Sequence, residues 1–86
     1  MELSIIRSLM DKEFYDAHRG AKCPDRLFNP ENRKIKKTID LAMDRYERTV
    51  TPEEVEALFL SNNPTLTPSN KMAYSAVFNN IKKENP

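Results

Sequence analysis

The sequence predicts an all-α fold, a compact bundle of four to five short helices that forms a single domain over residues 1–86. Apolar residues recur at intervals of three and four, and no segment alternates with period two over the length of a strand. Three prolines follow residues that cap helices. The only glycine is Gly20, and the Asn-Gly and Asp-Gly turns typical of tight β-hairpins do not occur.

The first helical segment covers residues 3–19. Asp11 is able to cap a second short helix, in which Phe14 and Tyr15 are apolar positions, so the segment is either broken or bent near residue 11. Gly20 is expected just beyond its end, because glycine adopts the left-handed conformation that terminates helices. The apolar positions before the break share one helical face: Leu3, Ile6, Leu9 and Met10.

Three later helices begin alike, with a capping side chain directly before a proline. Proline at the first helical position loses no hydrogen bond, and an Asn or Thr oxygen accepts from a free N–H of the first turn. Thr51 and Glu54 also form a capping box. The predicted helices are 30–48, 52–61 and 68–83, and the caps are Asn29, Thr51 and Thr67.

Composition excludes several classes of function. Charged residues make up 31% of the chain, yet its net charge is only +1. A protein that binds nucleic acid mainly through phosphate contacts usually has a large excess of basic residues. A single glycine cannot build a P-loop or a Rossmann turn. No apolar run approaches a membrane span, and the N-terminus shows no signal-peptide pattern. The single cysteine, Cys23, indicates a reducing compartment.

No catalytic, cofactor-binding or metal-ligating residue is predicted, and no cofactor. Cys23 is the only cysteine and His18 the only histidine. Nothing in the sequence indicates that they form a nucleophile–base pair. The acidic residues Glu53, Glu54 and Glu56 lie in the first turn of a helix, where negative charge is favourable without any catalytic role.

Two sets of residues are candidates for binding. The first is the densest basic run, which comprises Arg33, Lys34, Lys36 and Lys37. Nucleic-acid contact through these side chains is one interpretation, but a solvated face is favoured because three acidic residues share the same helix, namely Glu31, Asp40 and Asp44. The second set is a partner-facing apolar patch, for which Tyr15, Tyr74 and Phe78 are the best candidates.

The order of these elements resembles the N-terminal domain of DnaB-type replicative DNA helicases, and its phage (T-even-like) branch in particular. The family's first amphipathic helix, which ends in Leu-Met or Leu-Leu before Asp or Asn, is similar to residues 4–11. Its next short helix, with an aromatic residue, looks like residues 13–16, and its closing helix is similar to residues 74–83. The aromatic residue before a capped helix start resembles residues 26–35, although Asn32 and Lys36 depart from the His and Phe that are frequent there. The family's "valine, cap, helix, leucine" segment is similar to residues 50–58.

The resemblance implies a non-catalytic domain that supports hexamer assembly and contacts primase or a helicase loader. The ATP-dependent motor, with its P-loop, would belong to a separate C-terminal domain, so this chain would be an excised domain or a fragment of a longer protein in the cytoplasm of a bacterial host. Two alternatives stay open: a freestanding small helical nucleic-acid-binding protein, and a phage regulator that captures a helicase loader or primase.

Overall fold

The computed structural model describes residues 2–18 and 25–84, and within these ranges the chain is helical without any strand, which confirms the all-α prediction. Helix α1 spans Glu2–Leu9 and α2 spans Lys12–His18. A 3₁₀ helix, Asp25–Leu27, then precedes α3 (Pro30–Tyr46), α4 (Pro52–Asn62) and α5 (Pro68–Lys83). The expectations for Gly20 and Cys23 fall outside the described residues.

Asp11 breaks the first segment and does not merely bend it. Helix α1 closes with tight turns, in which the N–H groups of Met10 and Asp11 donate to carbonyl oxygens three residues earlier. The Asp11 carboxylate then accepts a hydrogen bond from the backbone N–H of Phe14 at 3.1 Å, which is the expected N-cap contact. A second contact holds the new helix start, since the N–H of Lys12 donates to Thr49 Oγ1 at 2.9 Å.

The three cap-and-proline motifs begin helices as predicted. In each helix the cap oxygen accepts a hydrogen bond from the backbone N–H three residues later, at 2.8 Å for Asn29, 3.1 Å for Thr51 and 3.2 Å for Thr67. The Glu54 carboxylate also accepts the N–H of Thr51 at 2.9 Å, so the capping box is complete. Proline occupies the first position of all three helices.

Helix α3 is the centre of the fold. It packs against α1, α4 and the 3₁₀ helix, and α5 closes the bundle by packing against α1 and α4. Phe59 of α4 joins the helices by ring contacts, with centroids 4.6 Å from Tyr74 and 5.7 Å from Phe78. The buried apolar residues form one cluster, whose largest fully buried members are Phe59, Phe78, Ile6, Leu9, Met10, Ile35, Ile39, Ile81, Val50 and Val55.

Helix α3 ends at a left-handed residue that is not glycine. Glu47 has φ 53° and ψ 37°, and its N–H donates to the carbonyl of Met43 at 2.9 Å. Glycine usually occupies this position at the end of a helix, because it has no Cβ to clash in the left-handed conformation. Glu47 adopts the same conformation with a side chain, and this costs free energy.

Candidate protein-interaction site

The three aromatic residues predicted to face a partner lie in the core. Tyr15, Tyr74 and Phe78 are 7%, 7% and 1% exposed. On α5 the core line runs through Tyr74, Phe78 and Ile81, whereas Ala73 of the neighbouring line is exposed. In so small a bundle each helix has one buried stripe, and the largest apolar side chains occupy it, so the three aromatic residues do not form an exposed patch.

The basic run is divided between structure and surface. Arg33 is half-buried, and its guanidinium donates hydrogen bonds to the backbone carbonyl oxygens of Asp25 at 3.2 Å and Phe28 at 3.1 Å. These carbonyls belong to the 3₁₀ helix and the residue that follows it. Of the four predicted nucleic-acid contacts, only Lys34 and Lys37 have exposed side chains. The other two, Arg33 and Lys36, are taken up by contacts within the fold.

Lys36 lies buried on α3 and holds three segments together. Its ammonium is 3.0 Å from Asp25 Oδ1 and 2.9 Å from Asp40 Oδ2. The Tyr15 hydroxyl donates to the other oxygen of Asp40 at 2.6 Å, so α2, the 3₁₀ helix and α3 meet at one network. Burial is the largest influence on Lys36 and disfavours its charged form, but the hydrogen bonds and charges of Asp40 and Asp25 together outweigh burial and raise its pKa above 10.5.

One surface available for binding is a groove between α4 and α5, here called the α4–α5 groove. It encloses about 220 Å³ and is lined by Glu56, Leu60, Pro64, Lys71, Tyr74, Ser75 and Phe78. Leu60 is 40% exposed, and it lies beside two core aromatic residues, Tyr74, which is 7% exposed, and Phe78, which is 1% exposed. Met72, on the same helix as Lys71, is 75% exposed. The groove therefore combines apolar lining residues with the charge of Lys71, because its other charged residue, Glu56, pairs with Lys82.

Leu60 was not predicted as a binding residue, although a signal for it exists. Leu58, Phe59 and Leu60 are consecutive in α4, and three neighbouring side chains span about 200° of a helix, which is too wide for one buried stripe. Leu58 and Phe59 are buried, and Leu60 points away from the core. Met72 lies off the stripe of α5 and would be found by the same reasoning.

Several ionisable side chains have structural contacts within the fold. Glu54 binds Arg48 at 2.6 Å and Glu56 binds Lys82 at 2.8 Å. His18 stacks on Phe14 with ring centroids 4.1 Å apart. Among residues 2–18 and 25–84 no three His, Cys, Asp or Glu side chains are placed to hold a metal ion. In the same part of the chain no helix has the length and apolar character to cross a bilayer.

Comparisons of the chain with protein-family models, with curated proteins and with solved structures found no match. The resemblance to helicase N-terminal domains therefore depends on the residues of the chain and on the order of its helices.

Proposed function

We propose that this chain is a non-catalytic assembly and protein-docking domain of a phage-type replicative DNA helicase, acting in the cytoplasm of a bacterial host. Its partners would be other helicase subunits and a primase or helicase loader. The motor that hydrolyses ATP would lie outside this chain. Support comes from the order of the capped helices, which resembles that of the family's N-terminal domain, and from the partly apolar α4–α5 groove.

The α4–α5 groove is the observation that carries the docking role. At about 220 Å³ it is smaller than the roughly 300–1,000 Å³ of a typical small-molecule site, but it has room for apolar side chains from a partner's amphipathic helix. Leu60 offers the main apolar contact, with the narrow exposed edge of Tyr74 beside it, and Lys71 offers a charge that would orient the partner.

Direct DNA binding is supported less well. Only Lys34 and Lys37 of the basic run are exposed. Two phosphate contacts correspond to a salt slope of about −2, whereas proteins that rely on phosphate contacts make about 6–10 of them. A capture protein for a loader or primase would use the same groove, and it differs from a helicase domain in having no motor sequence with GxxxxGK[ST] in the same polypeptide.

Titration of the chain against the primase and the helicase loader of its own replication system tests the proposal. We expect micromolar binding to one of them, weakened at least tenfold by Leu60→Asp. The matched control is Leu27→Asp, because Leu27 is 63% exposed and lies in the 3₁₀ helix, outside the groove. Circular dichroism of both variants checks that they stay folded.

Two results would contradict the helicase assignment. One is a parent polypeptide without a RecA-like motor, which would favour the capture protein. The other is tight DNA binding that falls steeply with salt while neither protein partner binds.

A further inference from the structure

A second groove lies between the start of α3 and the middle of α5. Both helices pack against α1 and α4, and a channel stays open between them. It consists of two adjoining pockets of about 480 and 270 Å³, which share Glu31 and Ala73 in their lining. We call this channel the α3–α5 groove. Its wider pocket is also lined by Leu3 and Val77, and its narrower pocket by Leu66 and Tyr74.

The α3–α5 groove exposes the edge of the hydrophobic core. Among the described residues, four apolar side chains are only partly buried where they pack against that core, and three of them line the groove, namely Leu3, Leu66 and Val77. The fourth, Phe14, lies elsewhere and stacks against His18. The groove is therefore a place where incompletely covered apolar surface is concentrated, and a binding partner would bury it.

The dimensions of the groove suit an α-helix. On the side formed by α5 it is lined from Asn70 to Val77, which corresponds to about 10 Å, or two helical turns. Ala73, near the middle of this length, is exposed and has no side-chain atom beyond Cβ, so another helix could approach α5 closely there. Two apolar side chains of that helix, one turn apart, would then enter the two pockets.

The wider pocket is negatively charged. Glu2 and Glu31 line it, and no Lys or Arg of the described part of the chain does so. Asn29 donates two hydrogen bonds to Glu2, but a neutral donor does not cancel the charge of a carboxylate. Glu31 is exposed, and within residues 2–18 and 25–84 it has no ion-pair partner.

The narrower pocket is close to neutral, because Lys34 lines it together with Glu31. Burial raises the pKa of the Tyr74 hydroxyl, and the nearby charge of Glu31 adds to this effect. The negative charge of Glu31 therefore extends into the centre of the groove, and the net charge of the whole channel is negative.

We propose that the α3–α5 groove binds a basic amphipathic helix of another protein, with an apolar side chain in each pocket and a Lys or Arg beside Glu31. An acidic helix would be repelled by Glu2 and Glu31. The proposal goes beyond the docking role described above, because it concerns the opposite side of α5 and depends on neither the α4–α5 groove nor the helicase resemblance.

A pair of synthetic peptides tests the proposal by NMR titration of the isotope-labelled chain. Both are helix-forming peptides of about 20 residues with two leucines one helical turn apart. The basic peptide has lysines beside the leucines, and the acidic peptide has glutamates at the same positions. We expect the basic peptide to shift the amide signals of Leu3, Ala73 and Val77, and to bind about tenfold more tightly than the acidic peptide at low ionic strength.

Two variants locate the binding within the groove. Glu31→Lys should reverse the preference, so that the acidic peptide binds more tightly than the basic one. Ala73→Gln places a larger side chain in the channel and should weaken binding of the basic peptide about tenfold. Its matched control is Ala76→Gln, because Ala76 is also exposed on α5 but does not line the groove. Circular dichroism checks that the variants stay folded, and the comparison of the two peptides on the unmodified chain needs no variant.

Several results would overturn the proposal. These are equal affinity for the two peptides, tighter binding of the acidic peptide to the unmodified chain, no binding of either at millimolar concentration, and an equal loss of affinity in Ala73→Gln and Ala76→Gln. Groove signals that shift when the chain is concentrated without peptide would assign the groove to a second copy and overturn it too. Leu60 does not line this groove, so the outcome for Leu60→Asp is independent of these results and the two proposals fail separately.

Discussion

The backbone N–H of Val50 donates a hydrogen bond of 2.9 Å to the carbonyl oxygen of Met10, across forty residues of sequence. Both residues are almost completely buried. The break between α1 and α2 leaves backbone groups without helical partners, and the loop between α3 and α4 satisfies them. Thr49 Oγ1 accepts a second hydrogen bond, from the N–H of Lys12. The loop between α3 and α4 therefore stabilises the corner between α1 and α2 by two hydrogen bonds.

Removing the Thr49 hydroxyl should destabilise the protein through this corner. Thr49→Val keeps the shape of the side chain but deletes the hydrogen-bond acceptor for the N–H of Lys12 at the start of α2, and loss of one such hydrogen bond costs about 0.5–1.5 kcal/mol. Urea unfolding measures the change. Thr49→Ser, which keeps the hydroxyl, should recover most of the stability; an equal loss in both variants would show that the hydrogen bond is unimportant.

Replacing Lys36 should cost far more than replacing its neighbours. Lys36→Met leaves Asp25 and Asp40 without their shared cation, and both carboxylates keep about a third of their side-chain surface exposed, so hydration limits the loss to about 1–3 kcal/mol. Lys34→Met and Lys37→Met are matched controls on the same helix, with expected changes within about 0.5 kcal/mol. Similar losses in all three would contradict the structural role of Lys36.

The stabilising effect of Lys36 should also depend on alkaline pH. Its pKa is raised in the folded protein, so its contribution is present below the ordinary pKa of 10.5 and is lost as pH rises through the higher folded value. The difference in unfolding free energy between the unmodified chain and Lys36→Met should therefore shrink above pH 10.5. Denaturant unfolding at pH 8 and in this alkaline range measures it, and a constant difference would contradict the prediction.

Glu54 should titrate at unusually low pH. The hydrogen bond from Arg48 is the main cause and the backbone N–H of Thr51 adds to it, and together they lower the pKa of Glu54 to about 2. A lowered pKa stabilises the fold above the ordinary value of 4.5, and that stabilisation is lost as pH falls from there toward 2. Carboxyl chemical shifts measured by NMR give the midpoint directly. In Arg48→Gln the midpoint should move up, and an unchanged midpoint would exclude Arg48 as the cause.

Glycine at position 47 should stabilise the protein. Glu47 adopts φ 53°, a conformation that costs a non-glycine residue about 1–3 kcal/mol, while the greater freedom of glycine in the unfolded chain cancels about 0.4–1 kcal/mol. We therefore expect Glu47→Gly to raise the free energy of unfolding by about 0.5–1.5 kcal/mol. Thermal unfolding checks this. The control Glu47→Ala keeps the strain and should change little; a loss of stability in Glu47→Gly would contradict the prediction.

The helix starts could be predicted because their chemistry is local. Asn29, Thr51 and Thr67 each accept a hydrogen bond from a backbone N–H only three residues away. Donor and acceptor therefore lie within one four-residue segment, which can be recognised in the sequence. The single-domain core also follows from short-range patterns, since residues such as Ile35 and Ile39 repeat at helical spacing.

The surface could not be predicted in the same way, because exposure depends on which helices meet. Tyr74 and Phe78 look like a spare apolar line until α4 brings Phe59 against them. Lys36 looks like one of four equivalent basic residues until the 3₁₀ helix places Asp25 beside it. Each outcome depends on a contact between segments distant in sequence.

A hydrogen bond joins the two ends of the described chain, next to the end of α5. Ser4 Oγ donates to Glu84 Oε2 at 3.2 Å, although the two residues are eighty positions apart. The two described ends therefore lie side by side, so residues attached to either end would leave from one small patch of surface. Such a body could be attached to another protein, or inserted into one, through that patch while its own helices keep their positions.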